Sequence, residues 1–177
     1  KAGGAARILA YPYGEFSPAL KELVAEMDFR ALSQHSGPVG SGTDALAVPR
    51  FPMAAGFAAL DSFRTKVATR PLPVRSARPA NGAVVTAGEG PPEVALELGE
   101  GEFHPREIAC YSGGQGRIAN RWRAAERELL VRANEPLEPG RVKYNCTAPY
   151  RGKAGGGYYW YSFQWLVKRS DGSWWVE

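Results

Sequence analysis

Histidines, paired aspartates and long apolar runs are scarce or absent in this sequence, and each shortage excludes a class of protein. The 177 residues include two histidines, His35 and His104, and they contain neither an H-x-x-x-H spacing nor an Asp-Asp pair. Zinc hydrolases draw their metal ligands from such motifs, so we expect no catalytic metal site within this chain. No apolar run approaches the ~20 residues that cross a bilayer, which argues against a membrane span.

Basic charge is also modest. The net charge is +4, and residues 1–83 contain 10 Lys and Arg against 6 Asp and Glu, whereas residues 84–177 contain 12 of each. A nucleic-acid-binding protein would concentrate its basic residues in one stripe. The sequence therefore predicts no nucleic-acid partner, and the small excess indicates solvated surface or attraction to an anionic envelope polymer.

The first regular pattern is a strand, a turn and a helix. Residues 7–10 are typical of a buried strand, Pro12 lacks the N–H that would extend the ladder, and Gly14 permits a tight turn. Ser17 is a good N-cap, and apolar residues then recur at helical spacing over residues 17–27. This order predicts one βα unit, whose turn is a common ligand-binding position in α/β folds.

The same kind of pattern continues to about residue 69. Short strands are predicted at residues 29–33 and 46–48, and a second amphipathic helix is predicted at residues 54–69. Alternation of strands and helices predicts an α/β arrangement with parallel strands.

Three short segments in this region carry a family resemblance. The segments 11–15 (YPYGE), 34–40 (QHSGPVG) and 47–53 (AVPRFPM) occur in this order. Together they resemble the C-terminal part of the polysaccharide deacetylases of carbohydrate esterase family 4, the NodB homology domain, over about residues 5–72. The resemblance implies part of a distorted (β/α) barrel and metal-dependent hydrolysis of N-acetyl groups on a polysaccharide.

The resemblance also implies roles for individual residues. The backbone N–H of Tyr13 would help to hold the oxyanion, while Tyr11 and Pro12 would line the substrate pocket. Zinc or a similar divalent metal is implied for the complete enzyme, with its ligands in an N-terminal half that this sequence does not contain. This chain alone is therefore not expected to be a competent enzyme. In addition, Ala10 stands where many members of the deacetylase family carry an arginine.

Two further candidates lie near the resembling segments, and each has an ordinary alternative. His35 sits beside a Gly-rich loop and could face the pocket, or it could be a plain hydrogen-bonding residue. Arg50 could supply a cation to the site, or it could form a structural or surface ion pair.

The pattern changes after residue 72. Residues 73–83 are rich in Pro and Gly and predict an extended linker, and residues 84–177 predict an all-β, sandwich-like accessory domain that follows a first domain at residues 1–72. The candidate strands are residues 93–98, 107–111, 117–122, 128–133, 141–147, 158–167 and 174–176.

The aromatic run at residues 158–167 invites a sugar-binding interpretation. Strand alternation places Tyr161 and its apolar neighbours on one face, which we assign to the core. Trp160 lies on the mixed face and is the better candidate for a sugar contact. It could instead pack against the preceding domain.

Cys110 and Cys146 are the only cysteines, and each lies in a strand-like run. A disulfide is expected if the two strands are neighbours, because the resemblance implies a periplasmic or secreted protein. Two buried free thiols are the alternative.

The leading hypothesis is the C-terminal segment of a polysaccharide deacetylase. The alternative is a non-catalytic carbohydrate-binding or interaction module. Expected partners are an acetylated polysaccharide and either the absent half of the deacetylase domain or another copy of the chain, since an incomplete parallel sheet exposes apolar edges.

Overall fold

The computed structural model describes residues 7–153 and 156–175. Its N-terminal part contains strand β1 (Ile8–Ala10), helix α1 (Pro18–Glu26) and strand β2 (Arg30–Leu32), and the two strands pair in parallel. Ser17 caps α1 as expected, since its side chain accepts a hydrogen bond from the Leu20 N–H at 3.2 Å. A small core lies between the helix and the strands; it contains Tyr11, Phe16, Val24, Ala31 and Ala47.

The second helix is shorter than predicted. Helix α2 spans Leu60–Val67, and a separate 3-10 turn covers Ala55–Phe57. No residue of α2 is buried, so its apolar side chains face solvent. The strand predicted at residues 46–48 is reduced to one bridge between Leu32 and Val48.

The remaining strands belong to one antiparallel-rich sheet. They are β3 (Arg70–Pro71), β4 (Val74–Arg78), β5 (Ala83–Thr86), β6 (Glu93–Leu98), β7 (Ala109–Ser112), β8 (Gly116–Arg123), β9 (Glu128–Arg132), β10 (Gly140–Pro149) and β11 (Tyr158–Lys168). Their order across the sheet is β3-β11-β10-β7-β8-β9-β6-β4, and β5 pairs with β11 beside β3.

This sheet curls at β8. The first residues of β8 pair with β7 and the later ones with β9, so one strand joins the two halves. Side chains from both halves meet in a single core, in which Leu96 and Leu129 lie with Phe163 and Trp165. Alternation of buried and exposed residues along β6 and β10 explains why these segments form strands with one covered face.

The prediction of a partial (β/α) barrel is wrong. In the described residues the parallel part of the N-terminal region has two three-residue strands, because prolines and glycines break the chain between Ser33 and Ala54. The following strands join the antiparallel sheet instead. These strands form one curled sheet, whereas the sequence predicted a separate, sandwich-like domain.

Residues 73–83, predicted as a linker, contribute β4 to the sheet and the first residue of β5. The division into units at residues 1–72 and 84–177 itself stays a prediction. The strand predicted at residues 174–176 is not formed at Trp174 and Trp175, and Val176 lies outside the described residues.

The predicted disulfide is confirmed. Cys110 and Cys146 are directly opposite each other on β7 and β10, with a Cα separation of 4.1 Å. Both are fully buried in the main core.

Candidate binding cleft

A polar seam joins the loop after β2 to the outer face of the sheet. The Ser36 hydroxyl donates to Asn145 Oδ1 at 3.2 Å and lies 3.0 Å from the Ser162 hydroxyl. The Trp160 indole N–H donates to Ser162 Oγ at 3.0 Å. These bonds hold residues that are distant in sequence against β10 and β11.

A second connection lies along the free side of β11. This strand pairs there with β3 at one end and with β5 at the other, which leaves a gap between them. Asn81 bridges the gap, because its Oδ1 accepts from the Gln164 backbone N–H at 2.7 Å and its Nδ2 donates to the Ser162 carbonyl at 3.4 Å. The Gln164 side-chain amide donates to the Gly14 carbonyl at 3.2 Å.

An open cleft of about 860 Å³ follows this gap. The loop after β2 forms one wall, and the segment from Pro71 to Ala77 forms the other. Such a volume is within the range of small-molecule sites. The residues that line the cleft include Lys21, His35, Asp44, Asn81, Trp160 and Tyr161.

Trp160 and Tyr161 reach the cleft from opposite faces of β11. Trp160 is half-buried on the outer face, and its ring meets Phe51 edge-on with centroids 5.5 Å apart. Tyr161 points toward the main core and packs partly against it. Successive side chains of a strand point to opposite sides, so the cleft straddles the edge of the strand.

His35 is buried at the inner side of the cleft. Its Nδ1 contacts the Ser33 hydroxyl, and its ring lies 5.8 Å from that of Phe16. Burial, and secondarily the charge of Lys143, lowers the pKa of His35 to about 4. The imidazole is therefore neutral at pH 7 and packs as part of the wall.

The charges of the cleft are balanced. Lys21 forms an ion pair with Asp44, while Arg75 and Glu100 also line the cleft. With His35 neutral, these four side chains sum to zero. The site is therefore polar without being strongly acidic or basic.

The structure separates the other predicted site residues from this cleft. Tyr11 is buried, stacks on Phe16 and donates its hydroxyl to the Leu46 carbonyl at 2.9 Å. Pro12 begins an exposed 3-10 turn, and Tyr13 is 72% exposed, with its carbonyl accepting a bond from Arg141. None of these three is among the residues that line the cleft.

Arg50 is also outside the cleft. Its guanidinium Nε donates to the Ser33 carbonyl at 3.1 Å, and its backbone N–H donates to the His35 carbonyl. Arg50 thus braces the strand-like segment that carries His35. Of the predicted site residues, His35 and Trp160 are the two that the cleft brings together.

Sequence reasoning missed Asn81, Tyr161 and Asp44. Asn81 stands before Gly82, a pair that signals a turn and was assigned to a linker. Tyr161 follows the apolar alternation of its strand and was assigned to the core. Asp44 gave no local signal, because its position in the cleft depends on a contact with Lys21 from another element.

No group of three or more His, Cys, Asp or Glu residues is arranged to hold a metal ion in the described part of the chain. Within the same residues, no helix is both long and apolar enough to cross a membrane.

Comparison with known proteins gives no family assignment. No protein-family model and no curated protein matches the sequence. Similar solved structures include PcoC, a methionine-rich copper resistance protein from Escherichia coli, at 16% identity and a TM-score of 0.37, with 56% of this chain and 100% of that chain covered. They also include CopC from Methylosinus trichosporium OB3b at 19% identity and a TM-score of 0.40, with 55% and 94% covered.

These findings correct the deacetylase prediction. The described fold contains no (β/α) barrel, and the similar structures named above, PcoC and CopC, are not deacetylases. The assignments as deacetylase, hydrolase and C-terminal enzyme segment are therefore wrong. The Tyr-Pro-Tyr-Gly motif has a local explanation, since Tyr11 fills the small core and Gly14 adopts a φ of 71° in the turn.

Proposed function

We propose that this chain is a non-catalytic carbohydrate-binding module and that the cleft along β11 is its binding site. The observation that carries the proposal is the half-buried ring of Trp160 in the wall of a large open cleft with balanced polar groups. An apolar surface with a few placed polar groups is the usual composition of a small-molecule site.

The aromatic wall suits a sugar ring. The Trp160 indole is fixed at both ends, by its hydrogen bond to Ser162 and by its edge contact with Phe51. A ring that is already ordered loses little conformational entropy when a ligand stacks on it. Its free surface can then contact the C–H face of a pyranose.

The opposite surface suits an acetylated polysaccharide. Pro38, Pro49, Pro71 and Pro73 line the cleft and offer apolar contacts for acetyl methyl groups. Serine, threonine and asparagine side chains lie among them and can bond to sugar hydroxyl or carbonyl groups. An acetylated chain presents both kinds of group.

Two of the candidate bases of the cleft are already engaged, and the third, Glu100, is exposed at its rim. His35 is neutral and contacts Ser33, and Asp44 is paired with Lys21 and accepts the Leu46 N–H at 2.8 Å. A general base must be able to reach the proton it removes. These contacts favour a binding role for His35 and Asp44 over a role in proton transfer.

The disulfide supports an exported location. Disulfides such as Cys110–Cys146 form and persist in oxidising compartments. We therefore place the protein in the periplasm or outside the cell.

Isothermal titration calorimetry tests the proposal with two ligands, the N-acetylglucosamine hexamer and acetylated xylan oligomers. We expect the wild type to bind at least one of them and Trp160→Ala to weaken that binding at least tenfold, since it removes the stacking surface. Trp174→Ala is the matched control, because Trp174 is exposed and lies outside the cleft. No binding of either ligand, or equal losses in the two variants, would contradict the proposal.

A second candidate function is a protein-interaction module. Leu23 on α1, Met27 at its C-terminal end, and Leu60 and Val67 on α2 are all more than half exposed. Exposed apolar residues that form a contiguous patch often mark contact surfaces. Light scattering after size-exclusion chromatography tests the case of another copy of the chain as partner, since a monomer at all concentrations would exclude it.

A further inference from the structure

Two tyrosines on the same face of β11 differ in how their hydroxyl groups are used. The Tyr159 hydroxyl accepts the Glu102 backbone N–H at 3.1 Å, and its ring packs against Phe103 with centroids 5.1 Å apart. The Tyr161 hydroxyl is bonded to no residue in the described part of the chain, and its side chain lines the cleft. Tyr161 is half-buried as a residue, and its hydroxyl is not among the fully buried polar atoms that lack a partner, so it is available to a ligand in the cleft.

The surroundings of Tyr161 keep this hydroxyl protonated. Burial raises the pKa of Tyr161, and the nearby carboxylate of Asp44 raises it further. The phenol is therefore a neutral donor over the whole physiological range. It can give its proton to an oxygen in the cleft.

Asp44 supplies the complementary acceptor. Its carboxylate lines the cleft and is partly exposed, with Oδ1 bonded to the Leu46 N–H. The Lys21 side chain is mostly buried, and its positive charge is paired with Asp44. A negatively charged acceptor thus stands in the same cleft as the neutral phenol.

We propose that the Tyr161 hydroxyl and the Asp44 carboxylate form a subsite that selects a neutral, hydroxyl-bearing sugar over a uronic acid. A neutral sugar carries several hydroxyl groups, so that one can accept from Tyr161 and another can donate to Asp44. The carboxylate of a uronic acid can accept only, and its charge is repelled by Asp44. This subsite rests on the proposed function, because it refines the ligand of the same cleft.

The test compares two phenylalanine variants by calorimetry and thermal unfolding. Tyr161→Phe removes one hydroxyl and retains the ring. At about 1 kcal/mol per hydrogen bond, we expect a three- to tenfold loss of affinity for the N-acetylglucosamine hexamer or the acetylated xylan oligomer. The Tm should be unchanged. Tyr159→Phe is the matched control, because it should lower the Tm and leave affinity within twofold. Oligogalacturonate of the same length should bind the wild type at least tenfold more weakly than the neutral ligand.

The outcomes separate the two proposals. Normal binding by Tyr161→Phe, or tight binding of oligogalacturonate, overturns the subsite and leaves the carbohydrate-binding proposal standing. Failure of the wild type to bind either acetylated ligand overturns both.

Discussion

Gly82 packs directly against Phe16, so that a β-carbon at Gly82 would lie 2.5 Å from the Phe16 carbonyl oxygen and 2.9 Å from its ring. Gly82 precedes β5, and its N–H donates to the Gln164 carbonyl at 3.0 Å. Phe16 belongs to the small N-terminal core. One glycine thus lets the N-terminal unit approach the free side of β11.

Replacing this glycine should be costly. Gly82→Ala combines a φ of 90° with a steric clash, and we expect a loss of about 3 kcal/mol in the free energy of unfolding. Gly88→Ala is the matched control, because its φ is 91° but a β-carbon would meet open space. That variant should lose about 1 kcal/mol. Urea denaturation measures both, and equal losses would show that the contact with Phe16 contributes nothing.

His35 should make stability depend on pH. The folded-state pKa is about 4, below the usual value of 6.5, so the unfolded state binds a proton that the folded state excludes. Stability should be insensitive to His35 above pH 6.5 and should fall as the pH drops from 6.5 to 4. The full effect is about 3 kcal/mol.

Variants isolate this effect from the titration of carboxyl groups. The stability of the wild type is compared with that of His35→Gln at pH 7.5 and pH 4.5 by urea denaturation. The loss between the two pH values should be smaller in His35→Gln. The control is His104→Gln, which changes an exposed histidine and should lose as much stability between the two pH values as the wild type. An equal loss in His35→Gln and the wild type would refute the prediction.

The disulfide should contribute strongly to stability. Cys110 and Cys146 are 36 residues apart, and closing a loop of that length corresponds to about 4 kcal/mol of chain entropy in the unfolded state. The double variant Cys110→Ser, Cys146→Ser should therefore unfold at a much lower urea concentration. Reductant should destabilise the wild type and leave the double variant unaffected, and a wild type insensitive to reductant under unfolding conditions would count against this account.

Glu128 should contribute far more to the stability of the fold than its neighbour Glu126. Its carboxylate is 6% exposed and bonds Arg78 and Arg123, which cover it from β4 and β8. Glu128→Gln should cost about 2 kcal/mol, because it removes the charged partner of Arg78 and one of the two carboxylates that pair with Arg123. Glu126 is 45% exposed, and Glu126→Gln should cost less than about 1 kcal/mol. Similar midpoints for the two variants in thermal unfolding would contradict this ranking.

Local patterns predicted the elements that local interactions form. Ser17 marks the start of α1 through a bond to a residue three positions away, and β6 follows its apolar alternation over Glu93–Leu98. Sequence reasoning did not predict the strands at residues 74–78 and 83–86, because the prolines and the glycine that flank them resemble a linker. They are strands because they pair with β6 and β11, which no local signal reveals.

The residues of the cleft likewise include some that local sequence patterns predict and some that they do not. Trp160 could be predicted, because alternation places it on the mixed face of β11. Tyr161 could not, because the same alternation assigns it to the core, and its access to solvent depends on the gap between β3 and β5. Asn81 likewise acquires its role from that gap.

The bridge that Asn81 makes across this gap sets a lower limit on any shortened form of the protein. A fragment that begins at residue 84 would lose Asn81, the β4 partner of β6 and the wall formed by Pro71–Ala77. It would also carry an unpaired β6 edge, which is a template for aggregation. A fragment designed to retain the cleft should therefore extend at least from Ile8 to Lys168, since Lys21 of α1 also lines the cleft.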